Sequence, residues 1–247
     1  MKASNERTPG FPVTRWSLVE RAVGVEDVAI RTAALEELCR LYWYPLYAFA
    51  RQRGILPEDA EDRTQDFFVE ILHSPFLDGA DPSRGKLRTF LLTAFQRHLI
   101  DGRRHQQAIK RGGGSERVPL ELLGAEQIYQ AEACSAVTAE ENYDREWALT
   151  LLRQSLATLV EQYAVDGKRE LFEHLRPFLD TVEIGAVQYD ELCSRTGLSR
   201  VAARQSVHRM RVRFRRIVRA LIADTLRDGS DEAVNEELSV LYALLSR

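Results

Sequence analysis

Cysteine is scarce: Cys39, Cys134 and Cys193 are the three among 247 residues. They are odd in number and far apart, and no pair has the spacing of metal ligands. A disulfide framework is therefore not expected, and the usage suits a reducing cytoplasm. Long hydrophobic runs are missing as well. The most apolar one, Leu41–Ala50, contains Pro45 and is too short to cross a bilayer. Met1–Pro12 lacks the apolar core of a signal peptide, so a cytoplasmic chain without membrane contact is expected. No stretch alternates apolar and polar residues as a strand does, and no segment repeats. Catalytic signatures are equally thin. The five histidines form no HExxH pattern and no close pair with cysteine. Lys110–Ser115 is glycine-rich but lacks the order of a phosphate-binding loop, and reads as a hinge. Asp59, Glu61, Asp62 and Asp66 spread over more than one helical face, which disfavours a metal cluster. No catalytic residue, metal or cofactor is expected.

What is present is helical periodicity in an ordinary globular composition. Hydrophobic residues make up 45% and charged residues 29%, enough for a core and too apolar for wholesale disorder. Leu35, Leu38, Tyr42, Leu46 and Phe49 recur every three or four residues, predicting one apolar helix face with a kink at Pro45. Gly54 and Pro57 end that tract. A second helix begins near Glu58 and buries Ala60, Thr64, Phe67, Ile71 and Leu72. Ser74–Gly85 reads as a loop, followed by a helical tract from Lys86 to about Ala108. Periodicity then lapses until about Ala139. It resumes through Trp147, Leu151, Leu152, Leu156 and Leu159, and through Leu171, Phe172, Leu175 and Phe178. Tyr189–Thr196 and Ser199–Thr225 follow, and Val234, Leu238, Leu241 and Leu245 form a last stripe.

The formal net charge is −3, which by itself argues weakly against a nucleic-acid binder. Resolved along the chain it means something else. Arg84–Arg117 carries net +7, and Arg195–Arg219 carries net +9 with no acid at all, so the other 188 residues carry −19. The second block has the grammar of a helix-turn-helix. A short helix meets Gly197, where a positive φ is needed; Leu198 plugs the core, and Ser199 caps the next helix. Val207, Met210, Phe214, Ile217 and Leu221 make one apolar seam in that helix, with arginines on both flanks. Such a helix enters the major groove of DNA. Arg200, Arg204 and Gln205 are placed to reach base edges, and the later arginines suit phosphates. In the first block, bases mix with Phe90 and Phe95, whose rings are read as core.

Several segments carry a wider likeness: EDAEDRTQDFF at 58–68, LRTFLLTAFQRHLIDGRR at 87–104 and GLSRVAARQSVHRMR at 197–211. In this order and spacing they resemble regions two and four of RNA polymerase sigma factors of the extracytoplasmic-function group. TRWSLV at 14–19, YWYPLY at 42–47, TQDFF at 64–68, KRGGG at 110–114 and WALTLL at 147–152 resemble a planctomycete-like subgroup. The resemblance implies an all-α chain of two small helical domains joined by a flexible linker. It divides into an arm (1–14), region two (15–111), a linker (112–139), region four (140–228) and a C-terminal helical extension (229–247). It implies two main partners, core RNA polymerase and promoter DNA. The acidic helix, with Glu61, Asp62, Gln65 and Asp66, is expected on the clamp helices of the largest subunit, and the flap is a further expected contact. The loop and following helix are expected to hold an extruded base of the minus-ten element, with Arg88, Arg97, His98, Arg103 and Arg104 as candidates. His98 stands where many members have asparagine. Arg200, Arg204, Gln205, His208 and Arg209 match the helix that reads the minus-thirty-five element. The subgroup is also associated with serine/threonine kinases as regulators.

Two other readings remain open at this point. A free-standing helix-turn-helix regulator fits the Gly197 turn equally well, but leaves the acidic helix and the central basic tract without a role. A metal-dependent nucleic-acid hydrolase would have to use the Asp/Glu-rich helix. Under the sigma-factor reading, loss of DNA binding at rising ionic strength is expected to track the two cationic blocks, and neutralising bases in either block is expected to flatten the dependence of affinity on salt.

Overall fold

The structure is a computed structural model that describes residues 28–73, 86–106, 125–132, 137–179, 186–226 and 229–246, a few of them by backbone alone. The expected arm, the Ser74–Gly85 loop and the Lys110–Gly114 hinge lie outside the described residues. All regular structure among the described residues is helical. The helices are α1 (Val28–Gln52), α2 (Pro57–His73), α3 (Leu87–Gln106), α4 (Ala125–Glu132), α5 (Ala139–Val165), α6 (Arg169–Leu175), α7 (Ala186–Thr196), α8 (Arg200–Ala223) and α9 (Asp231–Leu245). A 3₁₀ turn, Arg176–Phe178, follows α6.

The centre of the fold is α1. Its sequence predicts one apolar face, yet every residue from Leu41 to Ala50 is buried. The reason is packing from several sides: α2, α3, α4 and α5 all contact it. Tyr42, Tyr44, Tyr47 and Trp43 supply much of the surface, and Trp43 stacks on Tyr47 with centroids 5.3 Å apart. Pro45 lies inside the helix, which continues through it. The helix ends where Gly54 takes φ +79°. The Ile55 amide then bonds back to the Ala50 carbonyl and the Gly54 amide to Arg51, closing the last turn.

Helix α5 joins two cores. Tyr143, Trp147, Ala148 and Leu151 in its first half pack with α1–α3. Leu159 and Tyr163 in its second half pack with Phe172, Leu175, Leu192, Ala203, Val207 and Met210 from α6, α7 and α8. Its start is fixed by a capping box, in which Thr138 accepts from the Glu141 amide and Glu141 accepts from the Thr138 amide. The larger core also takes in Val218 and Ile222 from α8, Leu226, and Val234 and Leu241 from α9. Residues on both sides of the expected linker contribute to the larger core.

Part of that expected linker is itself structured. Ala125–Glu132 forms α4 and docks on the end of α1. Glu126 accepts from Tyr47 Oη at 2.5 Å, from Arg51 Nε at 2.9 Å and from Arg51 Nη2 at 2.9 Å, and the Arg51 guanidinium lies over the Tyr129 ring. Eight residues make barely two turns, too few for periodicity to reveal them.

The hydrogen bonds from Arg51, followed by those from Tyr47 and Gln130, outweigh desolvation and hold the Glu126 carboxyl down at about 2. A depressed folded-state value contributes stability that is present above the ordinary glutamate range and lost as pH falls through about 2. An NMR titration is expected to find the Glu126 carboxyl midpoint near 2. The Tyr129 ring signals are expected to shift over the same acid window, and Glu126→Gln is expected to abolish that step. A midpoint in the ordinary glutamate range would mean that α4 is not docked.

Candidate nucleic-acid and partner-binding surfaces

Helix α2 presents two faces. Ala60, Thr64, Phe67, Phe68 and Ile71 are buried, and the Thr64 hydroxyl donates to the Ala60 carbonyl, so its polarity is satisfied within the helix. Glu61, Asp62 and Asp66 are exposed and Gln65 is half-buried. Two adjacent pairs one turn apart, Glu61–Asp62 and Gln65–Asp66, thus form an acidic and amide strip over an apolar base. Partial burial, then the neighbouring Asp62, pushes the Asp66 carboxyl up, while His98 opposes the shift. Such a strip is complementary to a basic helical partner.

Helix α3 lies beside α2, and His98 joins them. Its ring stacks on Phe95 with centroids 6.3 Å apart, sits 5.6 Å from the Phe67 centroid, and its Nδ1 is 2.8 Å from Glu70 Oε2. The side chain therefore belongs to the α2–α3 contact. Arg97 is exposed. Arg103 and Arg104 lie in the last turns of α3, and their side chains are outside the described residues. Arg88 stands apart from this set: it is 7% exposed, its Nε donates to Asp144 Oδ1 at 3.0 Å, its guanidinium pairs with Glu237, and it lies 4.6 Å over the Trp147 ring. Its expected outward position is not the one observed, because α5 and α9 both bring a carboxylate to it. Nothing in the sequence pairs Arg88 with residues 56 and 149 positions away.

The helix-turn-helix is built as its sequence predicts. Gly197 has φ +68°, and its amide bonds to the Cys193 carbonyl at 2.9 Å. Ser199 Oγ accepts from the Ala202 amide at 3.3 Å, and Leu198 packs against the smaller core. Ala203, Val207, Met210 and Ile217 are buried along the inner side of α8. On the outer side, Arg200, Arg204, Gln205, His208 and Arg209 are all exposed, and the last four line one surface depression. Arg204 lies 5.5 Å over the Tyr189 ring of α7, which restrains its long side chain. Tyr189 has no signal in the sequence beyond its place in the first helix of the pair. Arg200 is 3.6 Å from Asp190.

The later arginines divide between outward and structural work. Arg211 donates twice to the Phe178 carbonyl, at 2.9 and 2.8 Å. Arg213 donates to Gln162 at 2.6 Å and Asp166 at 2.7 Å, and covers the Tyr163 ring. Arg219 donates to Asn235 and Asp231 of α9. Arg209, Arg215 and Arg216 are exposed.

The described residues thus carry an exposed acidic strip on α2 and an exposed basic side on α8. The family model of the ECF sigma factors matches residues 32–220. The chain belongs to the ECF sigma factor family. The sigma factor acts in transcription initiation through RNA polymerase, and its family comprises DNA-binding regulatory proteins rather than enzymes. No curated protein and no solved structure matches the chain. Among the described residues, no helix of the sigma factor is long and apolar enough to cross a membrane, and no group of three His, Cys, Asp or Glu is placed to hold a metal.

Arg204→Ala in the sigma factor is expected to weaken duplex DNA binding by about 1–3 kcal/mol and to relax sequence preference at one position. Titration of matched duplexes that differ at single base pairs checks this. Equal loss on every duplex would assign Arg204 to a phosphate.

Proposed function

We propose that this sigma factor docks on the clamp helices of core RNA polymerase through Glu61, Asp62, Gln65 and Asp66 of α2. In this reading the holoenzyme reads a minus-thirty-five element with Arg200, Arg204, Gln205, His208 and Arg209 of α8. It opens the minus-ten element with α3, where Arg97, Arg103 and Arg104 meet the strand and His98 positions the helix against α2. The planctomycete-like subgroup is part of the proposal and rests on the five short motifs that carry the resemblance.

The observation that carries the proposal is the five exposed side chains of α8, set on one side of a capped recognition helix by a glycine with positive φ. Major-groove reading needs a helix of this exposure, with long donors near its N-terminal end. The acidic strip on α2 supports the polymerase half, because its charge faces away from the core and has an apolar floor of Phe67, Phe68 and Ile71. Two weak DNA contacts become one strong contact when polymerase fixes their spacing. The acidic remainder of the chain repels DNA, so the free factor binds promoters poorly.

Transcription reconstituted with cognate core enzyme tests the whole proposal: a promoter-dependent transcript is the expected product. Asp62→Ala combined with Gln65→Ala is expected to reduce core affinity about tenfold, the effect of roughly 1.4 kcal/mol, and to leave α8 intact. Undiminished core binding in that variant would remove α2 from the interface.

A further inference from the structure

We infer that α9 is an intramolecular latch, whose Glu237 holds Lys86 and Arg88 at the start of α3, and that the sigma factor engages polymerase and promoter with this latch open. The inference rests on the sigma-factor reading above. It concerns a helix that lies wholly beyond the family match, which ends at residue 220.

The latch has an apolar part and an ionic part. Val234 and Leu241 are buried in the larger core, while Asp231 and Asn235 accept from Arg219, so α9 is fixed to α5 and α8. Glu237 lies on the same buried side of α9 as Val234 and Leu241. It is 1% exposed and pairs with both Lys86 and Arg88. Asp144 of α5 takes the Arg88 Nε from the same side. Two carboxylates carried by α5 and α9 thus clasp two bases carried by the α3 end of the chain. Packing alone does not call for charge here. An apolar residue of similar volume at a buried position is often as stabilising as an ion pair, whereas an ion pair selects which group is held and in which register.

Reach makes the closed form incompatible with simultaneous readout of two separated promoter elements. The start of α3 packs against the first half of α5, and the helix-turn-helix packs against its second half. A helix of this length spans about 40 Å. Elements centred about 25 base pairs apart lie roughly 85 Å apart along a duplex, at 3.4 Å per step. The body that holds Arg88 against Trp147 must therefore part from α3 when both elements are engaged. The Glu237 clasp is the polar bond that parting breaks, and it releases Arg88, a base of the helix assigned to the minus-ten element.

The test uses the full chain and a carbodiimide, which joins an ion-paired lysine and carboxylate directly. Mass spectrometry of the free factor is expected to find a Lys86–Glu237 cross-link. The same treatment of the assembled complex with core polymerase is expected to lose most of it. Glu237→Gln is expected to lower the apparent dissociation constant for core polymerase about three- to tenfold, because a larger fraction of the chain is then competent to bind. A cross-link that persists in the complex overturns the latch and leaves the polymerase reading intact. Absence of the cross-link from the free factor also overturns it. A folded Glu237→Gln chain with unchanged or weaker core binding does the same, and if that variant does not fold, the cross-link on the unaltered chain decides. Failure of the unaltered chain to bind core at all sinks the polymerase reading and the latch with it.

Discussion

One helix has to satisfy two cores, and the rest of the structure follows from how it does so. Helix α5 turns Tyr143, Trp147 and Leu151 into the larger core and Leu159 and Tyr163 into the smaller one. Its apolar residues therefore do not keep to a single stripe. The change of partner along one helix connects the packing of α1–α3 to that of α6–α8. Trp147 is the pivot of the first half. It is fully buried, and its exposed alternative would remove the surface on which Arg88 rests. The Tyr143 hydroxyl adds a bond to the Arg88 carbonyl at 3.0 Å, so backbone and side chain of the same residue are both held by α5.

A count of bases along the chain does not say which of them face solvent. Within the arginine-rich block, Arg211, Arg213 and Arg219 bond to a carbonyl, an amide or a carboxylate inside the fold, while Arg200, Arg204 and Arg209 stand on the outer side of α8. Position along α8, not the face alone, explains the division. Residues 200, 204 and 208 lie a turn apart on one side, and 211 faces the 3₁₀ turn that follows α6. The guanidinium suits both uses, since it remains charged at every working pH and can bond a carbonyl through two nitrogens. The cationic surface is smaller than the sum implies, and more sharply placed.

The sequence discloses local structure best where one short segment determines it. The Gly197 turn, the Ser199 cap and the buried seam of Val207, Met210 and Ile217 all depend on neighbours within a few residues, and all were legible. The buried side of α2 was legible for the same reason. What could not be read depended on distant segments. The all-round burial of Leu41–Ala50 needs four partner helices, and the docking of α4 needs Tyr47 and Arg51 from 75 to 79 residues away. Arg88 shows the limit most clearly. Beside Phe90 and Leu91 it resembles any solvated base on an amphipathic helix, and only the approach of Asp144 and Glu237 turns it inward.

The C-terminal helix is continuous with the family's own core. Ile222, Leu226, Val234 and Leu241 lie beyond the matched residues, yet they share a hydrophobic cluster with Trp147 and Val218 inside them. An appended tail would leave that cluster complete without it. Here the tail supplies part of the apolar cover of α5 and α8, and the position of Glu237 follows from the docking of Val234 and Leu241 on one side of the same helix. These are three and four residues from Glu237, so the apolar contacts aim the carboxylate. A chain ending at residue 220 would still contain the residues of the acidic strip and of the outer side of α8. It would lose the buried carboxylate of α9 that pairs with Lys86 and Arg88, and with it the electrostatic tie between the two ends of the fold.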